Sequence, residues 1–534
     1  MSRRNERPIS RRHFLKTGQA LAVTVATLSP TASALRSRVR GWSPPSDAVS
    51  HSNDRYSWLF HVEEGKMDRL EDWIERKDHR RLESPYTHAP TNRVMVVAKP
   101  ADIGVRNRDQ LFASDVLSEA SWVRSGTIEL NRKRHLADPI DLDSTRDTSI
   151  HDTSWAQRRW LNFAAEGVPS TTGVAFEGDM EETTMLDSRR HTGALTSHLD
   201  EYGLEWPDAS NVALAVSDTG INDGPTFEAD DGTTRILETS KNHLDSETGV
   251  EAITDGNGHG TAVASYAAAN SSRTHRGYAP DAQLLGLKSL DDGGAGETAD
   301  IADSITYAAD QGADVLVMSL GSFAYSATIQ RALEYAVDSG TIPVAAAGND
   351  RQFSRWLATP ASSDHAIGVG ATTVESPEDT LSAYYSNTGP HDGLIDTSGG
   401  ETAGAMPTIG APGCKTVAEV VSTRGTVDHV DYTGTSMAAP HVAGVIALLV
   451  AHEGRLEYED VIDRLQAAAS PVPNAAEEEV GAGLPHVART LAGVESEETQ
   501  AEAMTTEARE RGLAYDALSN YPLTQIAGTL ESWY

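Results

Sequence analysis

Three short stretches of the chain each set one reactive side chain among small residues. They read Ala213-Leu214-Ala215-Val216-Ser217-Asp218-Thr219-Gly220, Asp255-Gly256-Asn257-Gly258-His259-Gly260-Thr261 and Gly434-Thr435-Ser436-Met437-Ala438-Ala439-Pro440-His441. Asp, His and Ser are the groups that nucleophilic acyl transfer needs. A hydroxyl attacks well only when an imidazole takes its proton, and the imidazole needs a carboxylate to fix its tautomer and stabilise its charged form. Taken singly, each has a plainer reading: a turn-forming Asp, a surface His, a helix-capping Ser. Taken together, Asp218, His259 and Ser436 are the candidate catalytic residues. A fourth stretch, Val344-Ala345-Ala346-Ala347-Gly348-Asn349, ends a buried-type strand in an amide. Asn349 is the candidate donor to the negative charge that develops on a carbonyl oxygen during acyl transfer.

The elements around these residues must position them. Asp218 follows an apolar strand and precedes a turn, which puts it at the carboxyl end of the strand, where open α/β sheets form their crevice. His259 opens a small-residue helix, Thr261 to Ala269, and Ser436 opens the apolar helix Val442 to Val450. From Val212 to about Gly493, Val- and Ala-rich strands alternate with helical stretches, a pattern that predicts an α/β fold with a mostly parallel sheet. From 55 to 132 a smaller β-α-β-α-β pattern is predicted. It has strands at Tyr56 to Val62, Val94 to Val97 and Ser125 to Leu130, a helix with Met67, Leu70, Trp73 and Ile74 on one face, and a second helix around Phe112, Val116 and Ala120. Residues 133–204 are polar and leave linker, insertion and start of the enzyme domain all open.

The segments around Asp218, His259, Asn349 and Ser436 resemble those of the subtilisin family, whose chain order Asp, His, Ser they match. So do Gly277-Tyr278-Ala279-Pro280, Met318-Ser319-Leu320-Gly321 and Gly410-Ala411-Pro412-Gly413. The resemblance covers about 205–493. It implies a doubly wound, mostly parallel sheet flanked by helices, preceded by a small α+β prodomain at 55–132 that inhibits the enzyme and assists its folding. It implies serine endopeptidase activity on polypeptides, an acyl-enzyme on Ser436, and Asn349 with the Ser436 backbone N–H as the oxyanion hole. Ser319, Leu320 and Gly321 would bind substrate by strand-like pairing. No cofactor is required for that chemistry. Ala262 and Ser265 stand where the family usually has His and Gly, a change of packing and not of the proton relay. Near Ile221 and in the loop Asn270 to Arg276 the oxygens of the family's tight calcium site are not evident, so a structural calcium, and any metal ligand, is left open. Small or apolar residues at Leu357, Ala358 and Pro360, where the specificity pocket's wall falls by resemblance, point to apolar substrate side chains.

Rival chemistries fare worse. Asp218-Thr219-Gly220 also fits an aspartic protease, but that needs two such carboxylates sharing a proton, and Asp396-Thr397-Ser398 does not repeat the motif. An α/β-hydrolase esterase requires a G-x-S-x-G elbow, with the serine ahead of its acid and histidine. A catalytically inactive subtilisin-like binding protein is the remaining alternative, disfavoured because all four catalytic positions are filled.

The 534 residues carry 78 Asp plus Glu against 44 Lys plus Arg, a net charge of -34. Such a surface repels phosphate backbones, which excludes a nucleic-acid role. Lysine is confined to Lys16, Lys66, Lys77, Lys99, Lys133, Lys241, Lys288 and Lys415. An acidic, lysine-poor surface predicts a protein of concentrated brine, because molar salt shortens the screening length to ~3 Å and relieves carboxylate repulsion. Cys414 is the sole cysteine, which excludes an intrachain disulfide. Residues 1–34 read as a twin-arginine signal peptide: Ser10-Arg11-Arg12-His13-Phe14-Leu15-Lys16, an apolar run Ala20 to Leu28, and a small-x-small site Ala32-Ser33-Ala34. The expectation is therefore a secreted, self-processing, monomeric enzyme, free of the membrane once the signal is removed. It would comprise a prodomain (55–132), the segment 133–204, a peptidase domain (205–493) and an acidic tail (494–534).

Overall fold

Alternate side chains of the central strands enter two separate cores. Leu214, Val216, Val315, Val317 and Val344 face one way, while Ala215, Leu316, Met318 and Ala345 face the other. A strand buried on both faces must be covered by helices on both, and burial of each such aliphatic side chain contributes roughly 1.5–3 kcal/mol. In the computed structural model, residues 48–99, 123–136 and 174–519 are described, apart from 53–54, 63–65, 77–79, 89, 176–179, 323–325, 352–356, 375–378 and 391–404. The twin-arginine segment, the expected helix around Phe112, Val116 and Ala120, and Asp396-Thr397-Ser398 lie outside the described residues.

The main sheet runs Lys241–Asn242, Gln283–Lys288, Ala213–Asp218, Val315–Met318, Ile342–Ala346, Ile367–Thr372, Ser382–Ala383, Val174–Ala175, with Ile409–Pro412 also on Ile367–Thr372. Every pairing in it is parallel except Ile367–Thr372 with Ser382–Ala383. Helices His259–Ala268 and Thr435–Glu453 cover one face; Thr298–Asp310 and Ala327–Asp338 cover the other. This is the doubly wound α/β architecture. The chain moves left from Ala213–Asp218 to Gln283–Lys288, then returns to the right for Val315–Met318. The crevice of such a sheet opens at that reversal, beyond the carboxyl ends of Asp218 and Met318.

Thr435–Glu453 is long and apolar enough to cross a membrane, but it is a core helix: Thr435 to Val450 are all buried in the domain. Strand Val174–Ala175 joins the edge of the main sheet, and Thr183–Thr184 pairs with Thr416–Val421. The later part of 133–204 thus packs with the main sheet and with Thr416–Val421. At the other end, the stretch predicted as an acidic tail contains the helix Thr506–Ser519, which packs on Glu477–Val480.

The N-terminal unit is an antiparallel sheet of Ser50–His51, Arg55–Val62, Arg93–Ala98, Arg81–His88 and Val123–Leu130. Trp58, Phe60, Val94 and Val96 bury one face under Leu70 and Trp73 of the helix Met67–Glu75. Leu59 and Met95, on the opposite face, meet Ala299 of the helix Thr298–Asp310. The sequence pattern does not predict Arg81–His88: it carries charges and a proline and lacks apolar alternation. As an edge strand bonded only to Arg93–Ala98, it tolerates all three.

Candidate active site

Asp218 is the last residue of its strand and fully buried, and its Oδ1 accepts Thr219 N–H at 2.7 Å. The same oxygen accepts the Nδ1–H of His259 at 2.8 Å. That contact fixes the tautomer, leaving Nε2 as the acceptor on the far side of the ring. The histidine helix reaches the strand because residue 260 is glycine. A Cβ there would lie 2.2 Å from Gly220 O and 3.1 Å from Asp218 Cβ. Asp255, a residue of the histidine motif to which the sequence assigns no role, holds the approach. Its Oδ1 accepts Thr219 Oγ1 (2.9 Å), Asn257 N–H (3.0 Å) and Gly258 N–H (2.7 Å). Its Oδ2 accepts Thr261 N–H (2.9 Å) and Oγ1 (2.7 Å). One carboxylate therefore binds the turn after Asp218 to the start of the histidine helix. Its position at the head of the Gly-rich run that leads to His259 was the signal available in the sequence.

Ser436 sits in the first turn of Thr435–Glu453, where backbone N–H groups have no intrahelical acceptor. This helix packs on the histidine helix, and Gly444 permits the close crossing, since a Cβ there would lie 2.6 Å from Tyr278 Cβ. Pro440 has no N–H to return to the Ser436 carbonyl four residues back. That carbonyl instead accepts the Ser319 hydroxyl at 2.8 Å, and the Ser436 hydroxyl donates to Ser319 O at 3.2 Å.

Asn349 follows strand Ile342–Ala346, two strands from Asp218. Its Oδ1 accepts both the N–H and the hydroxyl of Thr435 at 2.9 Å. A backbone N–H can only donate, so the amide's oxygen faces Thr435 and its NH2 is turned the other way. The Thr435 Oγ1 also accepts Gly348 N–H at 3.1 Å. Asp218, His259, Ser436, Asn349 and Ser319–Gly321 are thus brought to one crevice. Tyr432 stands nearby, its hydroxyl raised to about 12 by burial and by the Asp255 and Asp218 carboxylates.

A strand of the chain itself lies along this crevice. Lys133–Leu136 runs antiparallel between Ala295–Glu297 and Leu320–Gly321, with Leu136 opposite Leu320 and His135 opposite Gly321. The basic run Asn131-Arg132-Lys133-Arg134 has the composition of an exposed stretch, yet Asn131, Arg132 and Arg134 are buried. Asn131 accepts Ala299 N–H (3.1 Å) and donates to Glu297 (2.7 Å), and Arg134 donates to Thr298 Oγ1 (3.0 Å). In a second basic pair, Arg189-Arg190, Arg189 is also buried. Glu129 accepts Thr328 N–H (3.0 Å) and Ser326 Oγ (3.1 Å), a carboxylate at the N-terminus of Ala327–Asp338. Arg93 reaches Asp303 at 3.2 Å. Burial opposes ionisation of Asp303, but His243, Lys241 and Arg93 outweigh it and hold the carboxyl well below its ordinary range.

At the start of the Asn270 to Arg276 loop, Asn270 Nδ2 donates to Glu228 O and the Ser271 hydroxyl to Glu419. Among the described residues, no three His, Cys, Asp or Glu side chains are grouped to hold a metal.

The model for the Subtilase family matches residues 209–483. Thermitase of Thermoactinomyces vulgaris is 38% identical over 203 residues, covering 38% of this chain and 63% of that protein. A thermophilic serine proteinase of Bacillus sp. strain AK1 is 39% identical over 207 residues, 38% of this chain and 45% of the relative. Subtilisin Savinase of Lederbergia lenta is 35% identical over 241 residues, 45% of this chain and 76% of the relative. Among solved structures, fervidolysin from Fervidobacterium pennivorans, a keratinolytic enzyme related to subtilisin, shares the fold. The TM-score is 0.57 at 21% identity, covering 86% of this chain and 65% of that one. The chain spans only about half the length of the first two of these curated relatives to be matched, 45% and 63%.

Proposed function

The chain belongs to the subtilase family, and on that premise we propose that it is a serine endopeptidase acting through Asp218, His259 and Ser436. The observation that carries this reading is the buried Asp218–His259 pair beside Ser436, at the end of a groove that already accommodates an extended peptide strand. Ser436 Oγ attacks the scissile carbonyl carbon, the C=O pair moves onto oxygen, and His259 Nε2 takes the hydroxyl proton. Asp218 stays ionised and stabilises the imidazolium. Asn349 Nδ2 and the Ser436 backbone N–H donate to the oxyanion. Collapse expels the amine, which leaves with the proton from His259, and an ester remains on Ser436. Water then repeats the sequence: it gives His259 a proton, its oxygen becomes part of the product acid, and Ser436 departs reprotonated.

The N-terminal unit acts as an intramolecular inhibitor and its own enzyme's first substrate. In the register Leu136 opposite Leu320, the strand runs towards Ser319, and with it Ser436. The self-cleavage we propose falls between Leu136 and Trp206 in the sequence. Export by the twin-arginine route and dependence on molar salt complete the proposal; the Arg11-Arg12 motif and the net charge of -34 support them.

The test is Ser436→Ala with parallel labelling by a phosphonylating reagent. The expected result is loss of nearly all peptidase activity and modification of Ser436 alone. Undiminished turnover in the variant ends the serine-peptidase reading.

A further inference from the structure

The loop that carries Asn349 is fixed on one side by the serine helix and by Asn387. Besides the Thr435 contacts, Asn387 N–H donates to Gly348 O (2.9 Å) and Asp350 N–H donates to Asn387 Oδ1 (2.9 Å). Its other end is Arg351, two residues beyond Asn349. Arg351 N–H donates to Tyr385 O (3.1 Å), and its side chain is fully buried. The guanidinium donates to Ser382 Oγ (3.1 Å) and Ala383 O (3.2 Å), to the Glu479 carboxylate and to the Tyr515 hydroxyl. Glu479 is buried too, and it accepts Arg511 Nε (3.2 Å), Arg511 Nη2 (3.0 Å) and Tyr515 OH (2.8 Å). Tyr515 and Arg511 both belong to the helix Thr506–Ser519. That helix lies beyond residue 483, where the match to the family ends.

We propose that the C-terminal helix is a positioning element of the active site: through Tyr515 and Arg511 it fixes Arg351, and with it the loop that presents Asn349. The proposal rests on the reading of Asn349 as oxyanion donor. A buried guanidinium keeps one orientation only while its partners are themselves held. Here one carboxylate is shared by two arginines, and the helix supplies the second arginine and the phenol that close the network. Burial opposes ionisation of Glu479, yet Arg511 and Arg351 draw its carboxyl down to about 2, so the cluster keeps its charges throughout the neutral range. An oxyanion donor works only when held to within about half an ångström. Slack at Arg351 therefore acts on turnover before it acts on substrate binding.

The test uses the full chain at molar salt, with Tyr515→Phe, which removes one hydroxyl and keeps the ring. The expected result is kcat lowered about fivefold to tenfold with KM within about twofold, the size of one lost hydrogen bond. Inhibition by a peptide aldehyde, which forms a tetrahedral oxyanion on Ser436, should weaken by the same factor, and inhibition by a product peptide should not. In an Asn349→Ala background, Tyr515→Phe should cause no further loss of kcat. Arg511→Gln should repeat the pattern more strongly. An unchanged kcat with only a lowered melting temperature, or an undiminished effect in the Asn349→Ala background, overturns the proposal. Wild-type turnover in Asn349→Ala alone overturns the oxyanion reading beneath it, an outcome that involves no C-terminal variant.

Discussion

Thr435→Val removes one oxygen from the centre of the candidate oxyanion hole and leaves the size of the side chain nearly unchanged. The wild-type hydroxyl makes two buried contacts, donating to Asn349 Oδ1 at 2.9 Å and accepting Gly348 N–H at 3.1 Å. In the variant Asn349 keeps a single anchor there, the Thr435 N–H at 2.9 Å. A neutral hydrogen bond contributes about 1 kcal/mol net. At about 1.4 kcal/mol per factor of ten, kcat should fall roughly fivefold to tenfold. Because the amide acts on charge that exists only in the transition state, KM should stay within about twofold. Gly348 N–H loses its acceptor inside the protein, so stability should also fall, by about 1–3 kcal/mol. Steady-state hydrolysis of a peptide anilide gives the two kinetic constants, denaturant unfolding gives the stability, and Thr435→Ser, which keeps the hydroxyl, should restore kcat. A normal kcat in a destabilised Thr435→Val protein would refute the reasoning. So would a raised KM at normal kcat, which would make Asn349 a ground-state contact.

Maturation should yield an N-terminus between Leu136 and Trp206, at a rate independent of protein concentration, and Ser436→Ala should accumulate the precursor; Edman sequencing that finds the same N-terminus in the variant assigns the cut to another enzyme. Activity and native circular dichroism should fall together as salt drops from molar to about 0.1 M, where screening lengthens to ~10 Å, and full stability in dilute buffer would remove the case for brine adaptation. Stability should also decline as pH falls from about 6.5 towards 4. His441 is fully buried between Tyr266 and Tyr278, with its Nδ1–H donating to Met437 O, and burial pushes it down to about 4. The unfolded chain therefore takes up this proton first, so the contribution is complete above about 6.5 and lost on acidification, on the order of 3 kcal/mol for a shift of that size. His441→Gln should flatten this part of the unfolding profile, and an equally steep profile in the variant would assign the loss elsewhere.

The candidate catalytic residues could be read from the sequence because their constraints are local. A strand must stop at Asp218, Gly260 must let a helix approach, and small residues must surround Ser436; each leaves its mark within a few positions. The doubly wound sheet was legible for a similar reason, since strands buried on both faces read as continuous Val and Ala runs. What was not legible depends on partners distant in the chain. Arg351, Glu479, Arg511 and Tyr515 are ordinary surface types until 164 positions of sequence are folded back to bury them together. The run Asn131 to Arg134 has the composition of a solvated stretch, and only the docked sheet turns it into a buried strand leading to Leu136. Thr435 merely precedes Ser436 in the sequence, and nothing local reveals that Asn349 depends on it.

Ser319 follows the strand Val315–Met318 with its hydroxyl and its carbonyl both bonded to Ser436, and the next two residues pair with the extended chain in the crevice. One residue is thus the common reference from which two positions are measured, that of the attacking oxygen and that of the incoming backbone. Errors in a common reference cancel: if thermal motion or a distant substitution shifts Met318 and its strand, nucleophile and target shift together. Side chains along the groove could then diversify without disturbing the relation between oxygen and carbonyl. A change at Ser319 alone would separate the two positions, and a family could alter what it cuts far more readily than it could alter this one residue.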